Sequence, residues 1–227
     1  MISVIVPTLN EPEVGNVIRE IKKLSLDAEI IVIDKSTDDT PAIARKSGAS
    51  VFAQRTEGYG NAYREGFQKA KGDILVMIDG DGTYEAADIP KMIGEIRGGA
   101  DLVLGNRFAN LEKGSMDFKK RIGNMLVTAL LNRLYGLKLK DSQSGLRAIR
   151  RSFLSRVDIG ATGMSFATEM LIRFKRAGAR ITDVPSSYRR RTGKTKLRFL
   201  RYGASISLLL LREMGGRIRS LLPKENG

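Results

Sequence analysis

The chain contains no cysteine, no histidine and no tryptophan. Without cysteine there can be no disulfide, no thiol nucleophile and no zinc–thiolate centre. Without histidine the commonest general base and the commonest transition-metal ligand are also missing. No run approaches the roughly 20 apolar residues needed to cross a bilayer; the longest, "YGASISLLLL" at 202–211, lies between Arg201 and Arg212. The opening "MISVIVPTLN" is strand-like and carries no basic leader region, so no signal peptide is expected. Neither G-x-x-x-x-G-K-[ST] nor G-x-G-x-x-G occurs: the glycines of "EGYGNAYREG" stand at 58, 60 and 66, the wrong spacing for a dinucleotide loop.

What is present is basic and unevenly distributed. Residues 1–110 carry 13 Lys and Arg against 17 Asp and Glu, and residues 111–227 carry 26 against 8. A polyanionic partner on the C-terminal half is implied, either nucleic acid or a phosphate-bearing lipid surface. Nucleic-acid binding calls for aromatic residues interleaved with the cations to stack bases. Residues 186–201 supply only Tyr188 and Phe199, which ranks that reading below an anionic membrane surface.

The first hundred residues alternate in period. "ISVIV" (2–6), "EIIVI" (29–33), "ILVMI" (74–78) and "DLVLG" (101–105) read as strands buried on both faces. Helical patterns fall at 14–24, 40–47, 60–70 and 87–97, with Pro41 suited to a first turn and Gly48 and Gly72 to stops. Such alternation predicts a doubly wound, mostly parallel sheet whose ligands bind beyond the carboxyl ends of the strands. Three strands end there in polar clusters, "PTLNE", "DKSTDD" and "DGDG". Further on, 116–136 and 165–177 read as helices, 181–191 as a strand entering a basic loop, and about 195–222 as an amphipathic helix. The apolar stripes at 122–131 and 204–211 read first as core, and second as faces lying flat on a membrane.

"IDGDGTY" raises the sharpest question, because Asp79 and Asp81 repel one another and the loop itself supplies no cation. An Asp-Gly turn is the plain reading. A calcium loop would need Gly at its sixth position and Glu at its twelfth, where Tyr84 and Pro90 stand. Two carboxylates sharing Mg2+ or Mn2+ with substrate phosphates are the remaining alternative, favoured by the other strand-end clusters.

The ordered series "VPTLNE", "IDKSTDDT", "IDGDGTY", "LGNRF", "DSQSGLR" and "YRRRTGKTK" resembles the polyprenyl-phosphate hexose synthases, inverting nucleotide-sugar glycosyltransferases typified by dolichyl-phosphate mannose synthase. The resemblance covers residues 1 to about 200. It implies an α/β GT-A fold, Rossmann-like and mostly parallel, flanked by helices and ending in amphipathic helices. It implies one catalytic domain over 1–227, divided into a nucleotide-sugar half (1–110), an acceptor half (111–200) and a helical tail (195–227). The expected reaction moves a hexose from a nucleotide sugar, GDP-mannose first and UDP-glucose or UDP-N-acetylglucosamine second, to a polyprenyl or dolichyl phosphate. The expected setting is peripheral, on the cytoplasmic face of a membrane. By the same resemblance Pro7, Thr8, Asn10, Glu11, Asp34, Asp38, Gly80 and Asp81 hold the nucleotide sugar. Asp79, Asp81 and Thr83 surround the metal, Mg2+ or Mn2+, with Thr83 where relatives often have Gln. Arg107, Arg121, Ser144, Arg147, Arg191 and Lys196 face the acceptor phosphate, and Asp141, Gly145 and Arg147 lie near the reacting centre. Ile33 replaces the first aspartate of the family's pair, which leaves Asp34 alone for the base. Were the acceptor a hydroxyl instead, Asp141 and Glu169 would be the candidate bases.

Overall fold

In the computed structural model, residues 1–192 and residue 209 are described. The strands are β1 (Ile2–Thr8), β2 (Ala28–Asp34), β3 (Ser50–Ala53), β4 (Ile74–Met77), β5 (Leu102–Leu111), β6 (Arg147–Arg150) and β7 (Ile181–Tyr188). The helices are α1 (Val14–Lys23), α2 (Thr40–Lys46), α3 (Tyr59–Lys69), α4 (Ile89–Arg97), α5 (Phe118–Tyr135), α6 (Arg151–Leu154) and α7 (Phe166–Arg176), with a 3-10 turn over Ala86–Asp88. All seven strands form one sheet in the order β3-β2-β1-β4-β6-β5-β7. β6 alone runs antiparallel, to both β4 and β5. Strands from both halves of the chain therefore share a single sheet.

Alternate residues of the buried strands feed two cores. Val4, Val6, Ile30 and Val32 pack with Val14, Ile18 and Ile21 of α1 and Met92 and Ile96 of α4 on one face. Ile5, Ile31 and Ile33 pack with Tyr63 of α3 and Phe166, Met170 and Phe174 of α7 on the other. Each fully buried Ile or Leu contributes about 1.5–3 kcal/mol, so the Val- and Ile-rich strands are the main source of cohesion. Ile33, which departs from the family pattern, is one of these core residues and is 1% exposed.

The predicted helices that fall among the described residues appear within a residue or two of their expected limits. β3 and β6 were not anticipated as strands. β3 is a four-residue edge strand that leaves Ser50, Phe52 and Ala53 exposed, too short to show a period. β6 is also four residues and carries Arg147 at its start. β5 runs past the expected Gly105 to Leu111, because beyond an irregularity between Asn106 and Asn110 it continues to pair with β7.

The 122–131 stripe corrects the core reading. Of α5, only Asn124, Thr128 and Leu131 are buried, while Phe118, Met125 and Leu126 are 72%, 52% and 66% exposed. Polar Thr128 faces inward because it meets a buried polar loop: its Oγ1 lies 2.9 Å from Ser142 Oγ and accepts from Ser142 N at 3.0 Å, while Asn124 Nδ2 turns to Met116 Sδ. Of the second stripe, only Leu209 is described, half-buried against the second core. The rest of the 195–222 helix and Lys196 lie outside the described residues.

Candidate active site

The topology brings the polar clusters to one edge. β1 is flanked by β2 and β4, all parallel, so the loops leaving them diverge from a switch point in strand order. β6 enters antiparallel with Arg147 opposite Met77 of β4 and Leu104 of β5, which carries the preceding loop, Asp141–Leu146, to the same edge. β7 ends there too and feeds Arg189–Arg191 across the site.

At the nucleotide side, Asp34 is 7% exposed and accepts from Thr8 Oγ1 at 2.7 Å, Ser36 Oγ at 2.6 Å and Ser36 N at 3.1 Å. Asn10 takes a left-handed backbone (φ 51), donates its N–H to Ser36 Oγ and accepts from Thr37 N at 2.8 Å. Glu11 N donates to Thr40 Oγ1, and Asp38 Oδ1 accepts from Thr40 N. Pro7, the penultimate residue of β1, pairs in register with Ile33. The two loops are thereby tied into one wall. Gly80 closes it: a Cβ there would lie 2.8 Å from Thr8 Cγ2, so only glycine lets the aspartate loop come this near.

Asp79 and Asp81 occupy the centre, both partly buried. Asp79 Oδ1 accepts from Tyr59 at 3.2 Å and Tyr63 at 3.4 Å. Burial, and after it the charge of Asp81, push the Asp79 carboxyl up to about 6. Asp81 Oδ1 accepts from Thr83 N and from Thr83 Oγ1 at 2.7 Å, and its Oδ2 takes Arg191 Nη1 at 2.8 Å. Thr83 thus supports Asp81 directly, and its own side chain is 2% exposed. The cation that the loop lacks arrives from far along the sequence, as Arg191.

Several expected phosphate contacts are corrected. Arg107 is 4% exposed and grips buried Asp141 through Nε at 2.6 Å and Nη2 at 2.9 Å. Arg147 is fully buried and donates to the carbonyls of Ser144, Ala167 and Ser142. Ser144 is also fully buried. Asp141 further accepts from Gln143 N, leaving both its oxygens engaged below the surface. The reason is common to all four: β6 is an interior strand, so the loop before it is covered and its charges must be paired inside. These residues shape the floor of the site. Arg121 is exposed and sits 6.0 Å over the Phe108 ring. Its neighbour Lys120, which sequence reading passed over, feels the site: burial and the Arg107 charge push its ammonium down, while Asp81 and Asp79 oppose that shift.

Tyr59, Tyr63 and Tyr84 were likewise missed. Tyr84 Oη accepts from Gly145 N at 2.6 Å, fixing the covered loop against the aspartates. The tyrosine spacing in "EGYGNAY" was the available signal, since residues four apart share a helix face.

Among the described residues no group of three or more Asp or Glu side chains could by itself hold a metal ion. Asp79 and Asp81 do fit a hard divalent cation that draws its other ligands from a diphosphate and water, the usual arrangement for magnesium.

Residues 3–158 match the family model described as glycosyl transferase family 2. The chain belongs to that family. This glycosyltransferase is 36% identical over 204 residues to the low-salt glycan biosynthesis hexosyltransferase Agl6 of Haloferax volcanii, covering 86% of itself and 49% of that protein, about half its length. It is 36% identical over 210 residues to a dolichyl-phosphate hexose transferase of the same organism, covering 90% of both chains. A solved structure of glucosyl-3-phosphoglycerate synthase from Mycobacterium tuberculosis, with Mn2+, UDP-glucose and phosphoglyceric acid, superposes with TM-score 0.77 at 25% identity, over 99% of this chain and 81% of that one. The mixed, mostly parallel sheet flanked by helices is the GT-A fold these structures share.

Proposed function

We propose that this glycosyltransferase moves a hexose from a nucleotide sugar to a polyprenyl phosphate with inversion, giving a β-linked lipid-phosphate sugar. The observation that carries the acceptor class is the state of the two candidate bases. Asp141 is locked to Arg107. Glu169 is 4% exposed, pairs with Arg173 Nε and Nη2 at 3.1 and 3.0 Å, and accepts from Ala161 N at 2.6 Å. A sugar hydroxyl needs a free base to attack. A phosphate monoester has its second pKa near 6 and attacks as a dianion without one. The dolichyl-phosphate hexose transferase of Haloferax volcanii supports the same acceptor by its name.

Asp79 and Asp81 would hold Mg2+ or Mn2+, which would offset the charge growing on the departing diphosphate. Asp34, braced by Thr8 and Ser36, meets a base N–H, while Asn10 and Asp38 hold the wall in place. Lys120 and Arg191 are the cations at the mouth of the site and orient the incoming phosphate. The exposed apolar face of α5, bordered by Lys119, Arg121 and Arg133, lies on an anionic lipid surface and brings the acceptor headgroup to Lys120. The setting is peripheral, at the cytoplasmic face; no described helix is long and apolar enough to cross a membrane.

GDP-mannose is the first donor. UDP-glucose with a small phosphorylated hydroxyl acceptor is the second reading, favoured by the Mycobacterium structure, which holds Mn2+, UDP-glucose and phosphoglyceric acid. Radiolabelled GDP-mannose, UDP-glucose and UDP-N-acetylglucosamine should each be offered with polyprenyl phosphate and with 3-phosphoglycerate. Label passing from GDP-mannose into a β-linked lipid phosphate is expected. Label entering 3-phosphoglycerate alone would reject the lipid acceptor.

A further inference from the structure

The two aspartates are held by different parts of the chain. Asp81 is braced within its own loop by Thr83 and across the site by Arg191. Asp79 has neither partner; among the described residues its Oδ1 meets the hydroxyls of Tyr59 and Tyr63, 3.2 and 3.4 Å away. The tyrosines sit one turn apart on α3, their rings edge to face at 5.0 Å. Tyr63 is fully buried and stacked against Phe166 at 6.4 Å, so its hydroxyl has a fixed origin. On the opposite side, Asp79 Oδ2 lies over Gly145, where a Cβ would stand 2.6 Å from it. One oxygen is tethered, and the other rests against the Gly145 backbone in room that a side chain there would take.

We propose that Tyr59 and Tyr63 are positioning residues for Asp79: their hydroxyls pin Oδ1 against the repulsion of Asp81, so that the carboxylate keeps one orientation for the divalent cation and diphosphate. Phenols are protonated donors throughout the neutral range, so they hold the carboxylate without adding charge. Hydrogen bonds of this kind, made to a ligand rather than to the metal, change metal affinity by about 10–100-fold when lost. The inference rests on Asp79 and Asp81 being the cation-holding pair, and its test separates the two claims.

Mn2+ binding to the whole chain, with GDP and with UDP as diphosphate probes, should be titrated by electron paramagnetic resonance for wild type, Tyr59→Phe and Tyr63→Phe. Phenylalanine keeps the ring packing and removes only the hydroxyl. Each variant should weaken Mn2+ about tenfold, with thermal midpoint and metal-free nucleotide affinity unchanged. In an Asp79→Asn background, removing either hydroxyl should cause no further loss. Unchanged Mn2+ affinity in both variants overturns the proposal, as does an equal loss in the Asp79→Asn background, which would mean the tyrosines act through the fold. Should Tyr63→Phe fail to fold, Tyr59→Phe, at the more open position, decides alone. If Asp79→Asn and Asp81→Asn both bind Mn2+ as wild type does, the cation reading itself fails and the tyrosine proposal falls with it.

Discussion

Arg191 joins Asp81 to Glu11. Its Nη1 lies 2.8 Å from Asp81 Oδ2, and its Nη2 lies 2.6 and 2.8 Å from the two oxygens of Glu11. The neighbouring Arg189 ties the same segment down, through Glu20 at 2.8 Å, Glu85 at 2.9 Å and its own N–H to Thr83 O. Charge-assisted pairs of this kind contribute about 1.5–3 kcal/mol, so a cation approaching Asp81 must displace a guanidinium. Arg191→Gln should therefore bind Mn2+ about tenfold more tightly than wild type when no nucleotide is present. Isothermal titration with Mn2+ alone checks this; equal or weaker binding would show that Arg191 supports the site instead of competing for it.

The Asp79 carboxyl, raised to about 6, sets a pH dependence. A proton and a divalent cation compete for it, so Mn2+ affinity should fall as pH drops through about 6, approaching tenfold per unit. The effect on metal-free stability has the opposite sign. The folded chain holds this proton more tightly than the unfolded one, whose aspartates titrate near 3.9. Its contribution is therefore fully present below about 4 and lost as pH rises through about 6. Mn2+ titrations from pH 5 to 8 should show the slope in wild type and not in Asp79→Asn. A flat wild-type profile would rule out a proton on Asp79 as the competitor.

Asp141→Asn separates a base from a buried counter-ion. Arg107 and Asp141 are 4% and 0% exposed, and removing one member of such a pair costs about 3–5 kcal/mol because the other charge is left uncompensated. Urea unfolding should show a loss near the lower figure, since asparagine keeps one oxygen for Arg107. The acidic limb of the rate profile should stay where wild type has it. A displaced limb with unchanged stability would make Asp141 a catalytic base.

The sequence was most informative where a pattern is local and repeated. Val- and Ile-rich runs ending in Thr8, Asp34 and Asp79 predict a sheet with ligands at one edge, and that edge is where the side chains meet. It was least informative about which charges are satisfied internally. Arg107, Arg121, Arg147 and Arg191 look alike as motif arginines, yet burial gives two of them to the floor, one to solvent and one to Asp81. That sorting depends on the antiparallel entry of four-residue β6, a long-range pairing with no local period to reveal it. The 122–131 stripe misled for a related reason. Two of its three buried positions, Asn124 and Thr128, are polar, and most of its apolar positions face out.

The outward face of α5 carries the last prediction. Phe118, Ile122, Met125, Leu126 and Leu130 form one exposed strip beside Lys119, Arg121 and Arg133. Such a strip buries apolar surface in a bilayer interface while each flanking cation near an anionic leaflet adds about 1 kcal/mol, an attraction that salt screens. Leu126→Gln and Phe118→Gln should each weaken sedimentation with anionic liposomes about tenfold, for a loss of roughly 1.5 kcal/mol of apolar burial. The salt dependence should survive, because the cations remain. Transfer to a short-chain, water-soluble prenyl phosphate should be unchanged, because neither side chain belongs to the site. A second copy of the chain could cover the same strip; gel filtration would then show a dimer that both variants dissociate, with liposome binding unaltered. Loss of liposome binding from a chain that stays monomeric throughout identifies the lipid surface as what α5 meets.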